Sequence, residues 1–214
     1  MIRRVIIGAL ALFVTVAAVN AQTQFGIKGG YNNSKFATDN DGTTTEGVSG
    51  FNAGLVADIG ITEMFSIRTG LDVQSKGARL MNNNLTGKVT ANPLYLELPV
   101  TFNVNFPLGV ASSMYAGAGP YLGVGVGGKI KSTEALWGYA KDSDEPIEWG
   151  SDNNSDLKRL DAGLNVGGGV KFNNRFGVHV QYGFGLVDVS TDKTELFYNK
   201  INNRTFGASG IFYF

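Results

Sequence analysis

The chain has 214 residues with 18 basic and 18 acidic side chains, a balance that implies no nucleic-acid partner. It has no cysteine, which excludes disulfides, thiolate metal sites and thiol catalysis together. Glycine numbers 30 and proline 5, with 11% aromatic residues, a composition that suits closely packed, tilted strands and not helices.

The N-terminus reads as an export signal. Met1-Ile2-Arg3-Arg4 supplies positive charge, and Val5 to Ala18 is an apolar run broken only by Gly8 and Thr15. That run falls short of the roughly 20 apolar residues a membrane-spanning helix needs. Val19-Asn20-Ala21 offers a peptidase site, so residues 1–21 are expected to be cleaved, leaving 22–214 as the mature domain. Loss of Arg3 and Arg4 then leaves two more acidic than basic side chains.

Beyond the signal, hydropathy alternates with a period of two, the signature of strands with one apolar face. The first segments are Phe25, Ile27, Gly29, Tyr31; then Phe51, Ala53, Leu55, Ala57, Ile59; then Ile67, Thr69, Leu71, Val73. The clearest runs from Leu94 through Leu96, Leu98, Val100 and Phe102 to Val104. Met114 to Val126, Leu160 to Phe172, Phe176 to Leu186 and Phe206 to Phe214 continue it, giving about eight segments.

The connections alternate too. Short turns fall near Thr62-Glu63-Met64, Phe106 to Val110, and Asn173-Asn174-Arg175, while polar linkers span Ala37 to Gly47, Ala78 to Ala91, Lys129 to Asp156 and Ser190 to Lys200. In hydrocarbon every unpaired backbone group costs several kcal/mol, so strands cross only as a closed ring. The expected fold is all-β: an eight-stranded antiparallel up-and-down transmembrane β-barrel, with short periplasmic turns and long extracellular loops.

Several segments resemble the PorT-like outer-membrane β-barrel ("porin family") domain of Gram-negative bacteria. They are Phe25-Gly26-Ile27-Lys28-Gly29-Gly30-Tyr31-Asn32, Leu94-Tyr95-Leu96-Glu97-Leu98-Pro99, Gly117-Ala118-Gly119-Pro120-Tyr121-Leu122-Gly123 and Gln181-Tyr182-Gly183-Phe184-Gly185-Leu186. The resemblance implies a barrel in the bacterial outer membrane and implies no chemistry. Phe206, Phe212 and terminal Phe214 are similar to the C-terminal strand signal read by the barrel-assembly machinery. Outer-membrane lipid is then the surrounding partner.

The phase opposite the apolar face puts Lys28, Arg68, Lys76, Arg159 and Lys171 in the lumen with Asp58, Asp72, Glu97 and Asp161. Eight strands enclose space that side chains just fill, so these charges read as an ion-paired plug; a narrow channel is the alternative. The only histidine, His179, lies a few residues past a short turn and reads as a hydrogen-bonded lumen residue, which leaves an outer-membrane enzyme as a third reading. Gly123-Val124-Gly125-Val126-Gly127-Gly128 matches the dinucleotide fingerprint but sits within a strand pattern, so no cofactor is expected. The 129–156 linker carries Trp137, Tyr139 and Trp149, aromatic candidates for contact with a protein or glycan. Its acidic residues lack calcium-loop spacing, so no metal is expected. The expected role is a non-enzymatic membrane anchor with binding loops.

Overall fold

The computed structural model describes residues 23–38, 43–82, 88–133, 142–151, 155–191 and 200–214; the expected signal peptide, with Trp137 and Tyr139, lies outside them. Ten strands follow in chain order: β1 Thr23–Thr38, β2 Thr43–Gly60, β3 Phe65–Ser75, β4 Ala78–Asn82, β5 Lys88–Pro107, β6 Ser113–Ser132, β7 Ser143–Pro146, β8 Leu160–Phe172, β9 Phe176–Gly185 and β10 Ile201–Tyr213. They make eight staves. β4 continues β3, since both pair with β2 and with β5. β7 likewise occupies the outer end of the position beside β6 that β8 fills lower down.

Every pairing between these strands is antiparallel, and the ring closes where β1 meets β10, from Gly26 opposite Tyr213 to Thr38 opposite Ile201. The Phe214 amide adds a last bond to the Phe25 carbonyl at 2.9 Å. Closure removes the sheet edge, which is the condition for burying strands in hydrocarbon. At the terminal end the connections are tight. Asn173 and Asn174 take φ of 49° and 53°, a left-handed conformation that asparagine tolerates better than most residues. At the turn before β3, the Thr62 hydroxyl accepts the amides of Met64 and Phe65.

Outward side chains form the apolar band, among them Ile27, Phe51, Leu55, Phe102, Leu122, Leu164, Val178, Phe206 and Phe212. Inward positions are polar, as the alternation requires. The strands, however, outrun the band. β1, β2, β5 and β6 hold 16, 18, 20 and 20 residues, against the roughly 9–11 that a bilayer-spanning strand needs.

The extra length corrects the expected loops. Much of 37–47 and 78–91, and both 129–132 and 143–146 within 129–156, is sheet: β1 reaches Thr38, β2 starts at Thr43, β4 and the start of β5 lie in 78–91, and the end of β6 and all of β7 lie in 129–156. The reason is an inversion of chemistry along one continuous wall. In the band, apolar residues point out and polar residues in. Beyond it Lys35, Lys88 and Lys131 are exposed outside, while Phe36, Val89 and Ile130 are buried inside. Water now bathes the outer face, so the wall folds like a soluble barrel with a dry centre.

Candidate functional site

The interior reads as a stack of layers along β3 and its continuation. From the terminal end outward, its inward residues are Ser66, Arg68, Gly70, Asp72, Gln74 and Lys76, then Ala78 and Leu80. Two-residue spacing puts each on the lumen side, one step further from the periplasm.

In the lowest layer the Arg68 guanidinium grips Asp58 with two bonds, Nε to Oδ1 at 2.7 Å and NH2 to Oδ2 at 2.9 Å. The Tyr213 hydroxyl donates to Asp58 Oδ2 at 2.9 Å, and the Tyr115 ring lies 4.0 Å from the guanidinium carbon. His179 closes this layer. Its Nε2 faces Gln181 Oε1 at 3.2 Å, and its Nδ1 faces the Tyr115 hydroxyl at 3.1 Å and Arg68 NH1 at 3.4 Å. An imidazole held on both nitrogens is a structural member of the wall.

The middle layer joins Lys28 to Asp72 at 2.7 Å and links Asn32, Asn52, Gln74 and Ser209 by side-chain hydrogen bonds. Between this layer and Arg68 lies a void of about 20 Å³, room for roughly one water. In the upper layer Lys76, 2% exposed, contacts both Glu97 and Asp161, the latter at 2.9 Å. Asn203 and the Tyr121 hydroxyl also donate to Asp161 Oδ2, at 2.9 and 3.3 Å. Removing a partner from such a site strands a charge away from water, at a cost of several kcal/mol.

Of the nine lumen charges read from the sequence, Arg159 and Lys171 stand outside these ion pairs. Arg159 is half-buried and donates to the Gly125 carbonyl at 3.4 Å, and Lys171 donates to Gln24 Oε1 at 2.8 Å. Sequence reasoning did not single out the inward tyrosines as a set. Tyr95, Tyr115, Tyr121 and Tyr213 are all buried, and two of them sit over glycines of the next strand. A Cβ on Gly163 would fall 2.8 Å from Tyr121 Cε1, and one on Gly169 would fall 2.5 Å from the Tyr115 hydroxyl. Inward glycine opposite inward tyrosine was the available signal.

Above Lys76 the lumen turns apolar. Phe36, Ala78, Leu80, Val89, Ala91, Ile130, Ile147, Leu157, Val189 and Ile201 form one buried cluster, and Trp149 packs against it. The Trp149 ring meets Tyr95 edge-on, with centroids 5.4 Å apart, and covers Gly125, where any Cβ would collide with the indole. Trp149 therefore turns inward as part of a cap, away from the outward-facing contact expected of it. The segment is anchored by Asp156, whose carboxylate accepts the Glu148 amide at 2.8 Å, and by Thr191, whose hydroxyl donates to the Ser155 carbonyl at 2.7 Å. The glycine run from Gly123 to Gly128 lies wholly within β6, with no helix to receive a phosphate.

Outside the membrane wall, Asp188 organises the start of β10. Partial burial raises its pKa, but hydrogen bonds from the Ile201 amide and from the Ser190 hydroxyl and amide outweigh that and hold it below the usual range.

Among solved structures, the chain is similar to Ail, the attachment invasion locus protein of Yersinia pestis, in complex with the heparin analogue sucrose octasulfate. Identity is 14% and the TM-score 0.43, covering 90% of this chain and 99% of that one. It is similar to Neisserial surface protein A (NspA) at 12% identity and TM-score 0.47, covering 89% and 97%. The N-terminal β-barrel domain of Pseudomonas aeruginosa OprF gives 12% identity and TM-score 0.37, covering 90% and 100%. No curated protein matches the chain. The family model for the outer membrane protein beta-barrel domain matches residues 20–191, most of the chain. With its closed antiparallel ring and apolar outer band, this chain belongs to the outer membrane protein beta-barrel domain family and resides in the bacterial outer membrane.

Proposed function

We propose that the protein is a non-conducting, non-enzymatic anchor of the outer membrane that presents its outer rim to a protein or glycan partner. The observation that carries this reading is the doubly filled lumen: paired charges across the middle and an apolar cap above them. A hydrated ion would have to break buried ion pairs and then cross a dry layer, each step costing several kcal/mol. The engagement of the only histidine by Tyr115, Arg68 and Gln181 supports the absence of acid–base chemistry.

The outer rim is charged on its outer face, with Lys35, Lys88, Lys129 and Lys131 exposed beside Glu46 and Asp144. Trp137 and Tyr139 stay the candidate contacts there. Crosslinking from Trp137 in intact cells tests the binding role, and capture of no surface partner counts against it. Planar-bilayer recording tests the closed lumen: flat traces at high protein load are expected, and stepwise conductance overturns the reading in favour of a channel. The PorT-like assignment within the family, removal of residues 1–21 and recognition of Phe206, Phe212 and Phe214 by the assembly machinery belong to the same proposal. Deletion of Phe214 is expected to lower the outer-membrane yield on cell fractionation.

A further inference from the structure

The eight charged side chains of the three layers, four of each sign, cancel in total but not level by level, and the half-buried Arg159 stands apart on the Gly125 carbonyl. Lys76 faces two carboxylates, Glu97 and Asp161, so the upper layer carries one excess negative charge. Lys28 and Asp72 cancel in the middle. In the lowest layer two cations, Arg68 and Lys171, face one carboxylate, Asp58, and Arg68 occupies both of its oxygens.

Lys171 is left over. Among the described residues its ammonium makes one hydrogen bond, to Gln24, and lies 5.1 Å from the centre of the Tyr213 ring. An ammonium carries three N–H donors, so two remain. They border a cavity of about 240 Å³ at the end bearing the short turns, whose walls also include Ser66, Asn105, Ser113 and the Arg68–Asp58 pair. A half-buried cation with spare donors, in a pocket of hydroxyls and amides, is complementary to an anion.

We propose that this vestibule binds a small carboxylate from the periplasm, held by Lys171 and the surrounding hydroxyl and amide donors. Glu63 stands exposed at the lip and repels negative charge, which favours a monoanion over a dianion. The filled lumen above makes the site a blind pocket reached from one side, so occupancy is a property of the periplasmic face alone.

The test is fluorine NMR of trifluoroacetate titrated onto the whole barrel in non-ionic detergent micelles, with acetate and inorganic phosphate as competitors. A saturable response displaced by acetate is expected. Lys171→Gln should weaken it at least about tenfold, Lys171→Arg should retain it, and Glu63→Gln should strengthen it. Heat-modifiable migration on gels shows that each variant is still a barrel. A response that never saturates, one unchanged in Lys171→Gln, equal loss in Lys171→Arg, or displacement by phosphate and not acetate would each overturn the proposal.

Discussion

The two plugs of this barrel are built from opposite chemistry, and the wall around them explains why. Level with the apolar band, the outside is hydrocarbon, so polar side chains have only the lumen to occupy and must satisfy one another there. Above the band the outside is water, charged residues return to the outer face, and the lumen fills with Phe36, Leu80, Val89, Ile130 and Trp149. The same strands make both halves. What differs is the solvent outside, and the comparison teaches that a barrel core is the complement of its surroundings.

The largest effect should come from breaking the charged layer. Lys76→Met leaves Glu97 and Asp161 buried without their cation and should cost about 3–5 kcal/mol, read by urea unfolding in lipid vesicles. Adding Glu97→Gln and Asp161→Asn should recover most of that loss, because a neutral layer leaves no stranded charge. A single variant as stable as the parent would remove the claim that this layer is a matched unit.

The apolar cap should fail more gently. Trp149→Ala opens a cavity over Gly125 and Tyr95 and, because the indole is half-buried, should cost roughly 2 kcal/mol, below the range for fully buried tryptophan. Bilayer traces of this variant should stay flat, since the charged layer beneath is intact. Conductance appearing in Trp149→Ala alone would make the cap, and not the ion pairs, the seal.

At the rim, Asp188 ties Ser190 to Ile201 in water-accessible surroundings. Its lowered pKa contributes stability that is present above the ordinary carboxylate range and is lost as pH falls through the folded value. Protection factors of the Ile201 and Ser190 amides should drop on acidification, and Asp188→Asn should lower them at neutral pH by roughly 1 kcal/mol. Smallest of all is the exposed Arg79–Glu46 pair at 3.4 Å, where Arg79→Ala should change stability by no more than about 0.5 kcal/mol. Together with Lys76→Met, it would show that burial, not charge pairing as such, sets the magnitude.

Much of the lower half was legible in the chain. Alternation from Leu94 to Val104 named the outward face, and the opposite phase named Lys28, Asp58, Arg68, Asp72, Lys76, Glu97 and Asp161 as interior. Much of the upper half was misread as loop because its alternation has the opposite sign: Lys88-Val89-Thr90-Ala91 and Lys129-Ile130-Lys131 look polar and irregular when apolar is assumed to mean outward. The bulge on β6, where Leu94 pairs with Gly127 but Tyr95 pairs with Gly125, also shifts the phase, so a single parity carried along β6 places Ile130 wrongly.

Within the apolar band, the sequence by itself determined which residues face lipid and which face inward, because a strand's two faces differ at a spacing of two residues and that spacing is local. Only the tertiary structure decided the partners: Lys76 with both Glu97 and Asp161, Arg68 with Asp58 and not Lys171, and Trp149 folded over Gly125. Those choices depend on strand register and on the closure of β10 against β1 around the whole ring. No short window of sequence contains that geometry.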